Sequence, residues 1–382
     1  MPGLDHWWYN KNKMFSFLSL KQEAFGLDIN DLSLKIIKLK KKRKGFSSVS
    51  FGFTEIEPGI IEEGMIKKED ALSKIIKTAC KNVEGKKLDT KYVIASLPEE
   101  KSFLQIIQMP RMKEEELKTA VFFEAENYIP LPISEVYLDF QVVASTKNYI
   151  DHLNVLIVAI PKKIVNSYFS CLKKAGLIPL ALEVEAEAIA RALVKEGTSS
   201  SPIVLIDFGR TNTDFIVFYG HSVCFTCSIP VSSQQLTDAI SEKLKISFDK
   251  AENLKIKFDL VEKTKNSKSK EILKAMLPVL EELIAQIKKY LNFYQEHASH
   301  KHFFPAGKVE KIFLCGGGAN LKGLPEFISK NLGISAELGI FWTDFLPKAY
   351  MRRQEKNKNN FKEPLIFTTA VGLALKKIDY KT

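Results

Sequence analysis

The alternation of apolar and polar positions divides the chain into two halves that open in the same way. An apolar, β-branched run from Ile203 to Ile206 stops at Asp207, passes Gly209 and small polar residues to Asp214, and resumes from Phe215 to Phe218. This pattern predicts a strand, a tight polar turn and a second strand. Near the front, Phe25 to Ile29 carries Asp28, turns through Asn30 to Ser33, and continues from Leu34 to Leu39. Two Asp-bearing hairpins about 180 residues apart point to duplicated halves facing one ligand. Taken singly, the turn after Asp207 reads equally well as an ordinary polar hairpin.

Further along, the periodicity predicts a third strand over Ser48 to Ile56, a helix over Ala71 to Val83 and a buried strand over Tyr92 to Leu97. Residues 99–161 change character, with strands over Phe103 to Met109, Val136 to Val143 and Leu153 to Ile160, and a helix over Lys113 to Asn127. We read this as a small inserted α+β subdomain, after which a helix from Pro161 to Ala175 returns the chain to the first half. Pro179 to Ala192, rich in Ala and Glu, predicts a helix crossing between halves. In the second half we expect a strand over Ser222 to Val231 and helices over Leu236 to Leu244 and Lys250 to Lys257. A polar loop over Lys263 to Lys270 precedes a long amphipathic helix over Lys274 to His297. A strand over Lys311 to Cys315 breaks at Gly316-Gly317-Gly318, a helix runs from Gly323 to Leu332, and another runs from Thr369 to Lys376.

Composition narrows the function classes. At 382 residues, with 45% hydrophobic and 26% charged positions, the chain suits a two-domain soluble protein. No apolar run approaches the roughly 18 residues of a membrane span, and no signal-peptide core is present, so a cytoplasmic location is expected. Met14 would serve as an alternative start, making residues 1–13 an extension. Five cysteines include one CxxC, Cys224 and Cys227, in a strand-like run without a second pair, which reads as structural. His297, His300 and His302 read as an exposed helix end. The net charge of +11 is concentrated in basic loops suited to an anionic membrane surface. Base-stacking aromatics do not accompany these loops, which argues against nucleic acid.

Chemistry enters when four pieces are taken together. Asp28 and Asp207 stand at the two turns, and carboxylates there suit a hydrated cation. Gly316 to Ala319 lets backbone approach a flat ligand without a Cβ. Glu252 and Lys255 share one helix face at i, i+3. The order of these pieces resembles the actin-like ATPase superfamily, and within it the PilM family of type IV pilus assembly. The resemblance covers roughly 14–377. It is densest in Ala95-Ser96-Leu97-Pro98-Glu99, in Met109 to Leu117, and in Phe123-Glu124-Ala125-Glu126-Asn127-Tyr128-Ile129-Pro130.

The resemblance implies an α/β, actin-like (ribonuclease H-like) two-domain fold with an inserted α+β subdomain. Its expected parts are an extension over 1–24, subdomain 1A over 25–98 and 162–196, and subdomain 1C over 99–161. Subdomain 2A would span 197–245 and 305–382, and 2B would span 246–304. It also implies ATP with Mg²⁺ in the cleft, the metal held through water by Asp28 and Asp207. Asn30, Asp31, Ser33 and Lys35, with Gly209, Arg210, Thr211, Asn212 and Thr213, would cradle the phosphates. Glu252, Lys255, Gly316, Gly317, Gly318, Ala319 and Lys322 would meet ribose and adenine. Glu185 would orient an attacking water, making the chain at most a weak ATPase. The implied partner is the N-terminal cytoplasmic peptide of a PilN-like inner-membrane protein, with other platform proteins and self-association beside it, and membrane contact only peripheral. The sequence departs from the family pattern at Asn30, where glycine is favoured, at Ser232-Ser233, where two glycines are favoured, and at Cys227, where arginine is favoured. The alternatives are a nucleotide-free scaffold of the same complex, an FtsA-like division protein, and a small-molecule kinase.

Overall fold

The computed structural model describes residues 23–41, 46–143, 152–261, 267–300, 308–339 and 364–376. Residues 1–22 of the expected extension, residues 42–44, 262–266 and 351–362 of the basic stretches, and His302 lie outside them. Strands β1 (Phe25–Asn30), β2 (Ser33–Lys41) and β3 (Phe46–Glu55) form an antiparallel meander. The short pair β4 (Ile61–Glu62) and β5 (Met65–Ile66) leads into α1 (Glu69–Lys81). Strand β6 (Glu84–Gly85) closes one edge, and β7 (Tyr92–Leu97) lies parallel to β1 on the other side. After the insert, α3 (Lys162–Lys174) and β11 (Ile178–Val184) return to this body, giving the order β11-β7-β1-β2-β3-β6.

The second half repeats the arrangement. β12 (Ser199–Phe208), β13 (Thr213–Gly220) and β14 (Ser222–Ile229) form the meander, and β15 (Lys311–Cys315) lies parallel to β12 as β7 does to β1. Strand β16 (Ser335–Leu338) pairs parallel to β15. Helices α5 (Ser233–Leu244), α6 (Phe248–Lys257), α7 (Ser267–His300) and α8 (Leu324–Leu332) belong to this half. Helix α7 starts earlier than the apolar stripe suggests, so Ser267 to Lys270 are helical rather than loop, and Pro278 lies inside it.

The insert has its own apolar core. Leu117, Val121 and Ala125 of α2 (Glu114–Ala125) pack with Ile107, Val136, Val155 and Ile157 from β8 (Phe103–Pro110), β9 (Val136–Val143) and β10 (His152–Pro161). Its chain ends lie in the first half, yet its sheet continues the second, because β8 meets β14 at the Gln105–Phe225 pair.

The expected helix over Pro179 to Ala192 is a correction. Its first part is β11, paired parallel with β7 from Ile178 to Val184, and only Glu185–Leu193 is helical, as α4. Ala, Leu and Glu favour helix locally, but a free sheet edge beside β7 outweighs that preference. α4 then crosses α9 (Thr368–Leu375), a helix buried at every residue. A Cβ at Gly372 would fall 1.8 Å from the Ala188 carbonyl oxygen, and one at Gly26 2.2 Å from that of Ala370. Only glycine permits α9 to lie this close to both α4 and β1.

Candidate functional site

The turns of the two meanders line one cavity of about 1030 Å³, in the range of a small-ligand site. Its lining includes Asp28, Asn30, Ser33 and Lys35 from the first half and Asp207, Gly209, Arg210, Thr211 and Asn212 from the second. Glu252, Lys255, Gly316, Gly317, Gly318 and Lys322 line it as well.

The first turn is a network of side chains. Asp28 is buried and stands opposite Lys35 in the β1–β2 register, which places both on one face. Lys35 Nζ donates to Asp28 Oδ2 at 2.9 Å and to Asn30 Oδ1 at 2.6 Å. Asn30 Nδ2 donates to Glu185 Oε1 at 2.8 Å. Among the described residues the positive-φ positions other than glycine are Glu63, Glu196 and Lys245, so Asn30 does not replace glycine by adopting left-handed backbone. Its amide joins Lys35 to Glu185 instead.

In the second turn, Gly209 N–H donates to the Asn212 carbonyl at 2.9 Å, so that amide is spent inside the loop. Asn212 Nδ2 donates to Asp214 Oδ1 at 3.1 Å and Ser228 Oγ at 2.9 Å. The Gly209 and Arg210 carbonyls accept from Ser233 N and Gln234 N, bracing the turn on α5. Ser232 caps that helix reciprocally with Gln235, a role the glycine favoured at this position in the family pattern lacks. Arg210 Nη1 reaches 3.7 Å from Glu55 Oε1, an ion pair across the cleft.

Two further elements complete the walls. Gly316 has φ +81°, and a Cβ there would lie 2.0 Å from Asp207 Oδ1, so this carboxylate sits directly on bare backbone. Lys255 Nζ donates to the Ser233 carbonyl at 2.9 Å and Thr237 Oγ1 at 2.7 Å, and pairs with Glu252 at 2.8 Å. That pair is already partnered, and it lines the cavity together with the apolar Phe248, Ile256, Leu321 and Ile366.

Burial shapes the electrostatics. It pushes Asp207 up to about 6, opposed by the Lys35 ammonium and reinforced by Asp28. Burial first, then Asp28, Asp214 and Asp207, hold the Glu185 carboxyl well above its usual range. Asp214 is raised likewise, by burial and then Glu99.

Four expected site residues fall elsewhere. The Asp31 carboxylate accepts from Glu63 N at 2.8 Å and Gly64 N at 3.0 Å, fastening the β4–β5 turn rather than facing the cavity. Thr213 is fully buried and its hydroxyl donates to the Val231 carbonyl. Ala319 belongs to the core of the second half. Glu185 accepts from the Asn30 amide and is absent from the cavity lining. Sequence reasoning missed Glu55, Asp214, Phe248 and Ile256, all of which line the cavity. Glu55 was open to inference, because the β2–β3 register pairs it with Ser33 at the turn.

The residues suit a nucleotide. Lys35, Arg210, Lys257 and Lys322 supply cations, the apolar wall suits a base, and a Cβ at Gly317 would meet only Ile366, at 3.7 Å. Asp28 and Asp207 suit a hard, hydrated cation, since their oxygens are its usual ligands. Among the described residues no group of three or more His, Cys, Asp or Glu is placed to hold a metal, so water and phosphate would have to complete its shell.

Comparison with known proteins agrees with this architecture. The family model for type IV pilus assembly protein PilM matches residues 26–378. The chain belongs to the PilM family. A solved PilM-PilN type IV pilus biogenesis complex contains a chain 25% identical, with a TM-score of 0.75, covering 94% of this chain and 99% of that one. EutJ, an ethanolamine utilization protein from Carboxydothermus hydrogenoformans, is 16% identical with a TM-score of 0.53, covering 92% of this chain and 89% of that one. MreB5 of Spiroplasma citri, solved bound to ADP, is 12% identical with a TM-score of 0.52 over 92% and 94% of the two chains. These show the actin-like fold. The cell division protein FtsA of Enterococcus hirae is 24% identical over 193 residues, 47% of this chain and 43% of that relative's length. The PilM family chain thus spans under half of that curated relative. Among the described residues no helix is long and apolar enough to cross a membrane.

Proposed function

We propose that this PilM family chain is an actin-like, ATP-binding cytoplasmic scaffold of the type IV pilus assembly platform at the inner membrane. Its partner is the N-terminal cytoplasmic peptide of a PilN-like membrane protein. The observation that carries the nucleotide part is the pair of duplicated hairpins facing one cavity, with the Asp207 carboxylate seated on Gly316. In this reading Lys35 and Arg210 bind and orient the phosphates, and Phe248 and Ile256 flank the base. Mg²⁺ would be held by Asp28 and Asp207 through water, and would supply charge neutralisation of the phosphates. Asn30 and the buried Glu185 hold the first turn in shape. The nucleotide acts as a conformational ligand, through different affinity for open and closed clefts, rather than as a fuel.

Charge supports the peptide part. Segment 99–161 carries ten acidic and five basic residues within a chain of net charge +11. Cytoplasmic segments next to a membrane span are rich in Lys and Arg. On α2, Glu115 and Glu116 are exposed, as is Glu126 just past its end, and Phe123 of the same helix is 70% exposed. Where the insert meets the first half, Tyr137 and Phe169 are also exposed.

A fluorescence-anisotropy titration with the peptide tests this reading. Wild type should bind, and Glu115→Lys/Glu116→Lys should weaken binding roughly tenfold, with a reduced salt dependence. Absence of binding to any such peptide would sink the partner assignment.

A further inference from the structure

Asp28, one of the two carboxylates suited to a metal, is already paired with a side chain of the protein itself. Lys35 Nζ lies 2.9 Å from Asp28 Oδ2 and 2.6 Å from Asn30 Oδ1, on a side chain only 12% exposed. The remaining Asp28 oxygen faces Ser96 Oγ at 3.4 Å. Lys35 is also the cation that offsets the buried Asp207. One ammonium therefore serves both acids that would hold a metal, and no protein-built cage of three or more His, Cys, Asp or Glu is present among the described residues.

A divalent ion entering here would lose the Asp28 oxygen to an ammonium and would sit within a few ångströms of a like charge, which is strongly unfavourable where solvent is excluded. A polyphosphate changes the balance. Its oxygens accept from Lys35, release Asp28 and complete the metal's shell.

We infer that Lys35 is a resident counter-ion that keeps divalent metal out of the nucleotide-free protein, so that metal enters only together with a polyphosphate that draws Lys35 away. The exclusion of metal rests on the chain's own residues. The entry of metal with phosphate rests on the nucleotide reading of the same cleft.

The test is a Mn²⁺ titration of the full chain, read by the loss of the free-ion electron paramagnetic resonance signal, Mn²⁺ standing in for another oxygen-ligated ion. Without nucleotide, wild type and Lys35→Arg should leave Mn²⁺ free. Lys35→Met leaves Asp28 and Asp207 uncompensated, and should bind Mn²⁺ at least roughly tenfold more tightly than wild type. The Mn²⁺-dependent rise in melting temperature should appear in Lys35→Met alone and vanish in Lys35→Met/Asp28→Asn. Mn²⁺ bound by nucleotide-free wild type as tightly as by folded Lys35→Met, or not bound by Lys35→Met, would overturn the exclusion. Wild type given ATP, or inorganic triphosphate, should then take up Mn²⁺, read by a further Mn²⁺-dependent rise in melting temperature, since either compound chelates free Mn²⁺ without protein. If triphosphate brings the ion in and ATP does not, the nucleotide reading fails while the counter-ion role stands. If neither does, entry of metal with phosphate is overturned.

Discussion

Arg210 and Glu55 come from opposite halves and meet at the mouth of the cavity. Both are substantially exposed, so their pair contributes little on its own, about 0.2–1 kcal/mol. It nevertheless competes with any phosphate for the same guanidinium. Freeing Arg210 by Glu55→Gln should raise ATP affinity about twofold to fivefold. Removal of a negative charge from the mouth would do the same without Arg210, so the control is the Arg210→Ala background. Calorimetry should find the Glu55→Gln gain lost there, and an equal gain in both backgrounds would refute the clasp. The pairing was only partly legible in sequence. Arg210 stands in a recognisable turn, whereas Glu55 acquires meaning from the β2–β3 register. Asp31 shows the converse, since its place in the chain suggests a phosphate contact and its bonds to Glu63 and Gly64 turn it away.

At the scale of elements, the crossing of α4 and α9 joins the two halves. Arg191 of α4 donates to both oxygens of Glu183 and to the Gly372 carbonyl, and Lys376 donates to Glu183 as well. Glu187, one turn before Arg191, keeps a buried Oε1 with no hydrogen-bond partner. Burial and then Glu183 push its carboxyl up to about 7, against the opposing Arg191 and Lys376, with Glu99 adding a little. The native state therefore binds the Glu187 proton more tightly than the unfolded chain does. Between the ordinary value of 4.5 and about 7, the unfolded chain carries fewer protons, and stability falls as pH rises. Above that window the loss is complete and the curve is flat. Glu187→Gln should remove this fall and gain about 1–3 kcal/mol at about pH 8, with little change at about pH 4. Urea denaturation across that range measures it, and a wild-type slope retained in the variant would assign the effect to Asp207 or Glu185 instead. This crossing was hard to read from sequence. The Ala- and Glu-rich stretch from Pro179 gives a helical signal throughout, while its first part is claimed by the edge of β7, a long-range pairing without a local trace.

The whole molecule repeats one plan, a three-strand meander with a parallel fourth strand, and sets the two copies facing each other across the cavity. The repeat was legible because each copy carries an Asp near the end of its first apolar strand, just ahead of a polar turn. The glycine cluster was legible because it falls directly after a buried strand. The insert's dual allegiance was not, since its chain ends belong to one half and its sheet to the other. Nucleotide would bind in the cleft between the copies, and Gly316 is the position there where the backbone of one element touches the carboxylate of another. The decisive measurement is a calorimetric titration of ATP with Mg²⁺ into wild type and Gly316→Ala, with circular dichroism to show that both are folded. Wild type should bind in the micromolar range, and Gly316→Ala, whose Cβ strikes Asp207, should lose at least roughly thirtyfold in affinity. Wild-type affinity weaker than millimolar, or equal binding by the two folded proteins, would contradict binding in this cleft.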